Sequence, residues 1–211
     1  MNSIFPSLAG SKAIAFRMVA DCYYAPDPGL LERVDGLEGI LAPLTEEGAR
    51  WAGAMRDTLS VSQDWTPLLV EYSRLFVGPF RLPAPPYGSV YLEQENRVMG
   101  LSTNDAADFY TREGLDLSKG FLEAPDHIAV ELEFVQFLAQ RESEALGMSN
   151  MEQASYYADR QRVFLEQHLA AWVSPFTQRI MEETRSDFYR CLAWVTRCMV
   201  LSTLETLKSR S

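Results

Sequence analysis

Three acidic residues and a histidine crowd one short run, Pro-Asp-His-Ile-Ala-Val-Glu-Leu-Glu-Phe, at positions 125–134. If the run is helical, His127 and Glu131 stand four apart on one face, and with Asp126 they can offer nitrogen and oxygen ligands to a metal, or an acid–base set to a small molecule. The chain contains two histidines, His127 and His168. A multi-histidine metal site is thereby excluded, and the sequence nominates no third and fourth ligand to complete a site built on His127. The Glu-x-x-His pairs of carboxylate di-iron bundles are missing. A local ion pair or helix cap is the simpler reading of Asp126, His127 and Glu131, and no metal and no cofactor is expected. His168 falls on an apolar helix face, the usual place of a hydrogen-bonded core histidine.

Other reaction chemistry is equally hard to find. Gly78-Pro79 lacks both the pattern and the lysine of a phosphate loop, and no Gly-x-Ser-x-Gly elbow occurs. The three cysteines, Cys22, Cys191 and Cys198, have no framework spacing and lie on apolar helix faces, which fits small hydrophobes in a reducing compartment. Nineteen basic against 29 acidic residues leave a formal charge of −10, so the protein repels nucleic acid and attracts basic partners. The basic residues are scattered, and nucleic acid is not an expected partner. With no signal pattern near the amino terminus and no apolar run of spanning length, the expected location is the cytoplasm. By exclusion, what remains is a recognition surface.

The elements that must position such a surface read as helices throughout. Apolar spacing predicts helices over 11–25, up to about residue 41, over 46–60 behind Thr45 as cap, from Thr66-Pro67 through Phe76, and over 102–112. A helix from Pro125 to about Leu146 has an apolar arc (Ile128, Val130, Leu132, Phe134, Val135, Phe137, Leu138) too wide for a surface helix, so it is expected to be central. Further helices are predicted over 151–172, from Ser174-Pro175 to about residue 183, and over 187–208. The stretch 77–100 carries Pro79, Pro83, Pro85, Pro86 and the rings of Phe80, Tyr87 and Tyr91, and reads as a long packed loop. The expected fold is all-α: one helical-bundle domain over 1–211 of about eight to ten helices, with a possible hinge at 113–124 between two helical halves.

Four blocks together carry a resemblance. They are Glu71-Tyr72-Ser73-Arg74-Leu75-Phe76-Val77-Gly78-Pro79, Pro85-Pro86-Tyr87-Gly88-Ser89-Val90-Tyr91, Pro125-Asp126-His127-Ile128, and Phe164-Leu165-Glu166-Gln167-His168-Leu169 with Trp172. In order and spacing the chain resembles the TorD/DmsD family of cytoplasmic chaperones, the redox enzyme maturation proteins, and is nearest to the DmsD branch. The resemblance implies a TorD-like bundle. It also implies a non-catalytic role: binding the twin-arginine leader of a molybdenum-cofactor oxidoreductase precursor (DMSO or TMAO reductase-like), holding the apoenzyme until cofactor is inserted, and so delaying export. Partners implied are that leader and apoenzyme and components of the twin-arginine translocase, with the chaperone a monomer or a dimer that exchanges helical halves. Guanine nucleotide binding has been proposed within the family, but no motif here supports it. The positions implicated in leader binding match Tyr72, Leu75, Phe76, Pro86, Asp126 and His127.

The residue chemistry agrees. A diarginine leader needs a ring-lined groove with carboxylates at its rim, because guanidinium groups bond carboxylates through two parallel N–H donors and stack on rings. Tyr72, Leu75, Phe76, Phe80, Pro86, Tyr87 and Tyr91 are expected to form the wall, and Asp126, Glu131 and Glu133 the charge. Glu131 and Glu133 vary between branches of the family, so Asp126 leads. Relatives often carry Trp at positions 72, 80, 87 and 91, so the groove here is expected to be shallower or tuned to a different leader. The rival reading is a small-molecule or metal-binding enzyme using Asp126, His127 and Glu131.

Overall fold

In the computed structural model, residues 8–60, 64–79, 81–93, 100–115 and 123–210 are described. Helix α8, Ile128–Gly147, lies at the middle of the bundle, with Ile128, Leu132, Val135 and Leu138 fully buried. Helices α1 (Leu8–Asp21) and α9 (Met151–Gln167) pack along it. On the far side of α1 come the short α2 (Leu30–Val34) and α3 (Leu37–Leu41), then α4 (Glu46–Ser60), which lies against α11 (Asp187–Lys208). Helix α10 (Leu169–Glu183) also packs on α11. Helix α5 (Thr66–Tyr72), a π-helical turn at Ser73–Val77, α6 (Ser89–Leu92) and α7 (Leu101–Arg112) complete the order. Among the described residues there is no strand; a lone antiparallel bridge joins Tyr87 to His127. One contiguous apolar cluster runs through the helices. No helix among the described residues is long and apolar enough to cross a membrane.

The all-α expectation holds, and several helices form where their local signals put them: Thr45 Oγ1 accepts from Gly48 N at 3.2 Å ahead of α4, as an N-cap does. Three boundaries differ for physical reasons. Helix α8 begins at Ile128, not Pro125. His127 is the cap, with extended backbone and Nδ1 accepting from Ala129 N at 3.2 Å, because the residues on either side of it, Asp126 and Ile128, are bonded to the 86–89 loop. The predicted 151–172 helix breaks at His168, whose ψ of −100° interrupts the ladder, and α10 then runs straight through Pro175 instead of starting there. Proline at that depth forfeits a ladder bond. Burial of Trp172, Val173 and Phe176 offsets it, and Thr177 Oγ1 donates to the Val173 and Ser174 carbonyls nearby. Third, the helix expected through Phe76 widens at Ser73 into the π turn, closed by Gly78 N on Ser73 O at 2.7 Å. A π turn inserts an extra residue per turn, and here both Leu75 and Phe76 point inward. The 77–100 loop also contains α6. The expected hinge at 113–124 falls largely on 116–122, outside the described residues; at its start Glu113 is tied to Arg160 Nε at 2.6 Å and to Tyr156 OH at 3.1 Å.

Glu71 locks α5 onto the α10–α11 link. Its carboxylate accepts from Arg185 N (2.7 Å), Thr184 Oγ1 (3.0 Å) and both Nε and Nη2 of Arg74 (2.9 Å each). The Arg74 hydrogen bonds above all pull its pKa down to about 2. Glu71→Ala is expected to cost about 1.5–3 kcal/mol in urea unfolding at pH 7, the range for hydrogen bonds to a charged group. A depressed carboxylate stabilises above its unfolded pKa and loses that contribution as pH falls toward the folded value, so the gap between variant and wild type should narrow below pH ~4.5.

Candidate functional site

The Pro-Pro-Tyr-Gly-Ser loop is stitched to the entrance of α8. Ile128 N donates to Pro86 O (2.9 Å), Gly88 N to Asp126 O (2.8 Å), and Ser89 N to Asp126 Oδ2 (2.8 Å). The loop approaches so closely that a Cβ on Gly88 would stand 3.0 Å from Trp172 Nε1 and 3.4 Å from Glu131 Oε1. Below it, Trp172 Nε1 donates to Glu131 Oε2 at 2.9 Å, and Tyr91 stacks on Trp172 with ring centres 5.6 Å apart. Burial drives the Glu131 pKa well above the usual carboxylate range. Asp126 Oδ1, Glu131 Oε1 and Ser89 Oγ are all buried without a hydrogen-bond partner, the kind of site that ordered water or a shared proton satisfies.

Above this floor is a rim. Tyr87 packs edge-on against the His127 ring (5.3 Å), and Tyr24, just past α1, lies nearly parallel to the same ring (6.4 Å). Tyr72 is half-buried beside them. Glu123 meets Tyr87 OH at 3.4 Å and His127 Nε2 at 3.9 Å. Its charge is close enough to help burial raise the hydroxyl pKa of Tyr72, and that of Tyr87 to about 12. Burial pushes His127 down to about 4, so at neutral pH its ring is uncharged and Glu123 faces neutral groups. Glu133 accepts from Tyr24 OH at 3.3 Å.

Of the residues expected to form the site, Tyr72 and Tyr87 stand at this rim, and His127 is its buried base. The others are placed differently. Leu75 and Phe76 are core, Phe76 packing edge-on to Tyr23 and Tyr189. Pro86 is buried in the stitch. Tyr91 is sandwiched between Trp172 and the Arg179 guanidinium, 5.3 Å from its ring centre. Asp126 and Glu131 are buried, so neither is a rim charge, and the expected His127–Glu131 pair is not made: each residue has another partner. Among the described residues no group of three or more His, Cys, Asp or Glu could hold a metal. Phe80 lies outside the described residues. His168 is a core histidine as expected, its Nε2 3.1 Å from Asp105. Sequence reasoning missed Tyr24, Glu123 and the close approach that requires Gly88. Only the last had a signal, a glycine inside a ring-rich loop. A separate cleft of about 690 Å³ lies between α4, α5 and the start of α11, lined by Trp65, Leu68, Glu71, Arg185 and Phe188.

The family model of the nitrate reductase delta subunit matches residues 41–178. The probable Tat proofreading chaperone DmsD of Haemophilus influenzae is 31% identical over 126 residues, 60% of this chain and 55% of that one. The chaperone protein TorD of Shewanella pealeana is 28% identical over 149 residues, 67% and 61% of the two chains. The Tat proofreading chaperone DmsD of Salmonella typhimurium is 29% identical over 126 residues, 60% and 55%. The chain thus spans a little over half the length of these curated relatives. The fold is that of a crystal structure from Archaeoglobus fulgidus, presented as a candidate redox enzyme maturation protein, with a TM-score of 0.53 at 21% identity over 99% of both chains. The match across 41–178 takes in the Tyr87 loop, the entrance of α8 and Trp172, and the chain belongs to the nitrate reductase delta subunit family in its TorD/DmsD branch.

Proposed function

We propose that this protein is a non-catalytic, cytoplasmic chaperone that grips the twin-arginine leader of a molybdoenzyme precursor at the Tyr24–Tyr72–Tyr87 rim and holds the apoenzyme back from export. The observation that carries the reading is Glu123, a partly exposed carboxylate set among tyrosine rings and a neutral imidazole. Among the described residues Glu123 has no cation partner at neutral pH, and a guanidinium would supply one along with a flat face for the rings. The relatives' names, Tat proofreading chaperone and TorD chaperone, point the same way.

Calorimetry with a synthetic peptide, Arg-Arg followed by an apolar stretch, tests it. Glu123→Gln should weaken binding by about 1.5–3 kcal/mol, the worth of a charge-assisted hydrogen bond, without changing the melting temperature. The Lys-Lys version should bind more weakly, since an ammonium cannot form the two-pronged contact, and added salt should lower affinity for both. Equal affinity of wild type and Glu123→Gln would remove Glu123 from the site; no binding of the arginine peptide would remove the function.

A further inference from the structure

We propose that Glu133 is a second guanidinium seat on the same rim, and that the chain's own Arg17 occupies it until a partner's second arginine displaces it. This deepens the leader-binding reading and rests on it. Both carboxylates, Glu133 and Glu123, lie near Tyr24: its hydroxyl donates to Glu133 Oε1 at 3.3 Å, the Glu123 charge acts on the same hydroxyl, and the Tyr24 ring lies along His127. In an extended segment, neighbouring side chains leave on opposite sides. Two consecutive arginines laid across Tyr24 would therefore offer one guanidinium to each carboxylate.

The Glu133 seat is occupied, but lightly. Arg17 reaches it from α1 through Nη1 alone, at 3.2 Å, while its Nη2 is spent on Asp21 at 3.1 Å. Both contacts are longer than the 2.7–2.9 Å typical of such bonds, and neither is two-pronged. The Arg17 side chain is 55% exposed and that of Glu133 24%. Arg17 is thus a local stand-in for the ligand: its guanidinium can swing out and keep Asp21, freeing Glu133 for an arginine that meets it with both prongs. Burial, which raises the Glu133 pKa, favours any ligand that brings a fixed positive charge. The arrangement makes the rim selective, because a peptide with one arginine can fill the Glu123 seat yet gains little by competing with Arg17.

The test compares three proteins, wild type, Arg17→Gln and Glu133→Gln, against the Arg-Arg peptide and versions in which either arginine is glutamine. Arg17→Gln should bind the Arg-Arg peptide about two- to five-fold tighter, the scale of a released exposed ion pair, and Glu133→Gln should lose most of the preference for two arginines over one. Arg17 is a surface residue, and circular dichroism will confirm that its variant folds. If wild type binds the Arg-Arg peptide while Arg17→Gln binds it no tighter, or Glu133→Gln keeps the full two-arginine preference, the second seat is wrong and leader binding stands. If wild type binds no arginine peptide, leader binding itself falls and takes the seat with it.

Discussion

Asp126→Ala should cost about 1–3 kcal/mol of folding stability and at least about ten-fold in leader affinity, whereas Asp126→Asn should keep most of both. The reason is positional. Asp126 Oδ2 is the acceptor for Ser89 N, and Ser89 is fully buried. Alanine leaves that N–H unpartnered in the interior, at the usual cost of a stranded donor. It also removes a negative charge near the start of α8, worth about 0.3–1 kcal/mol. With the stitch cut, the loop that carries Tyr87 loses its seat over His127, and a ten-fold loss corresponds to about 1.4 kcal/mol of lost preorganisation. The asparagine amide oxygen can still accept from Ser89. A residue that bonded the leader's guanidinium directly would not tolerate that exchange, since its value would lie in its charge. Urea unfolding and calorimetry on the two variants separate the roles: strong loss of binding in a stable Asp126→Asn would make Asp126 a direct contact, contrary to its burial here.

Glu131→Gln should stabilise the protein at pH 8 by about 1–3 kcal/mol, with a gain that shrinks toward pH 5. Glu131 is fully buried, one oxygen accepting from Trp172 Nε1 and the other unpartnered, and burial raises its pKa. A group whose folded pKa is raised contributes stability below its unfolded pKa and loses it as pH climbs toward the folded value. The wild type therefore weakens on the alkaline side, while glutamine keeps the Trp172 bond with no charge to bury. The charged and titratable neighbours act on this. Asp126 adds to the upward shift, the Trp172 bond opposes it, and the Tyr110 hydroxyl, on Pro125 O, is itself pushed up by burial and then by the Glu131 charge. His127 works in the other direction. Its pKa is pulled down to about 4, so its contribution is complete above about pH 6.5 and fades as pH falls through 4. Wild-type stability should peak between the two losses, and Glu131→Gln should flatten only the alkaline side. Unfolding curves from pH 5 to 8.5 check this; an equal destabilisation at every pH would show that the carboxyl's shape, not its proton, matters.

These roles explain what could be read in the sequence. The central helix was legible because an apolar arc spanning Ile128 to Leu138 has nowhere to go but inside. The bounds of α4 and α11 were legible because the Thr45 cap of α4 and the apolar stripe of α11 are local signals. The entrance of α8 was not, because His127 becomes the cap only once Pro86, some 40 positions earlier, takes the Ile128 N–H. Pro175 looked like a start because the burial that carries the helix past it is tertiary. Of the proposed rim, Tyr72 and Tyr87 could be named from their sequence blocks. Asp126 and Glu131 stand in the recognisable motif but are buried, while Glu123 meets Tyr87, 36 residues away, and its charge reaches Tyr24, from the far end of the chain. No spacing rule reaches that far.

The central claim is one of location, and amide hydrogen–deuterium exchange with and without the Arg-Arg leader peptide tests it most directly. The account predicts that slowed exchange on peptide binding centres on the Tyr87–Leu92 backbone and the entrance of α8 around 123–133. Protection confined instead to the cleft between α4, α5 and α11, at Trp65, Leu68 and Phe188, would contradict it.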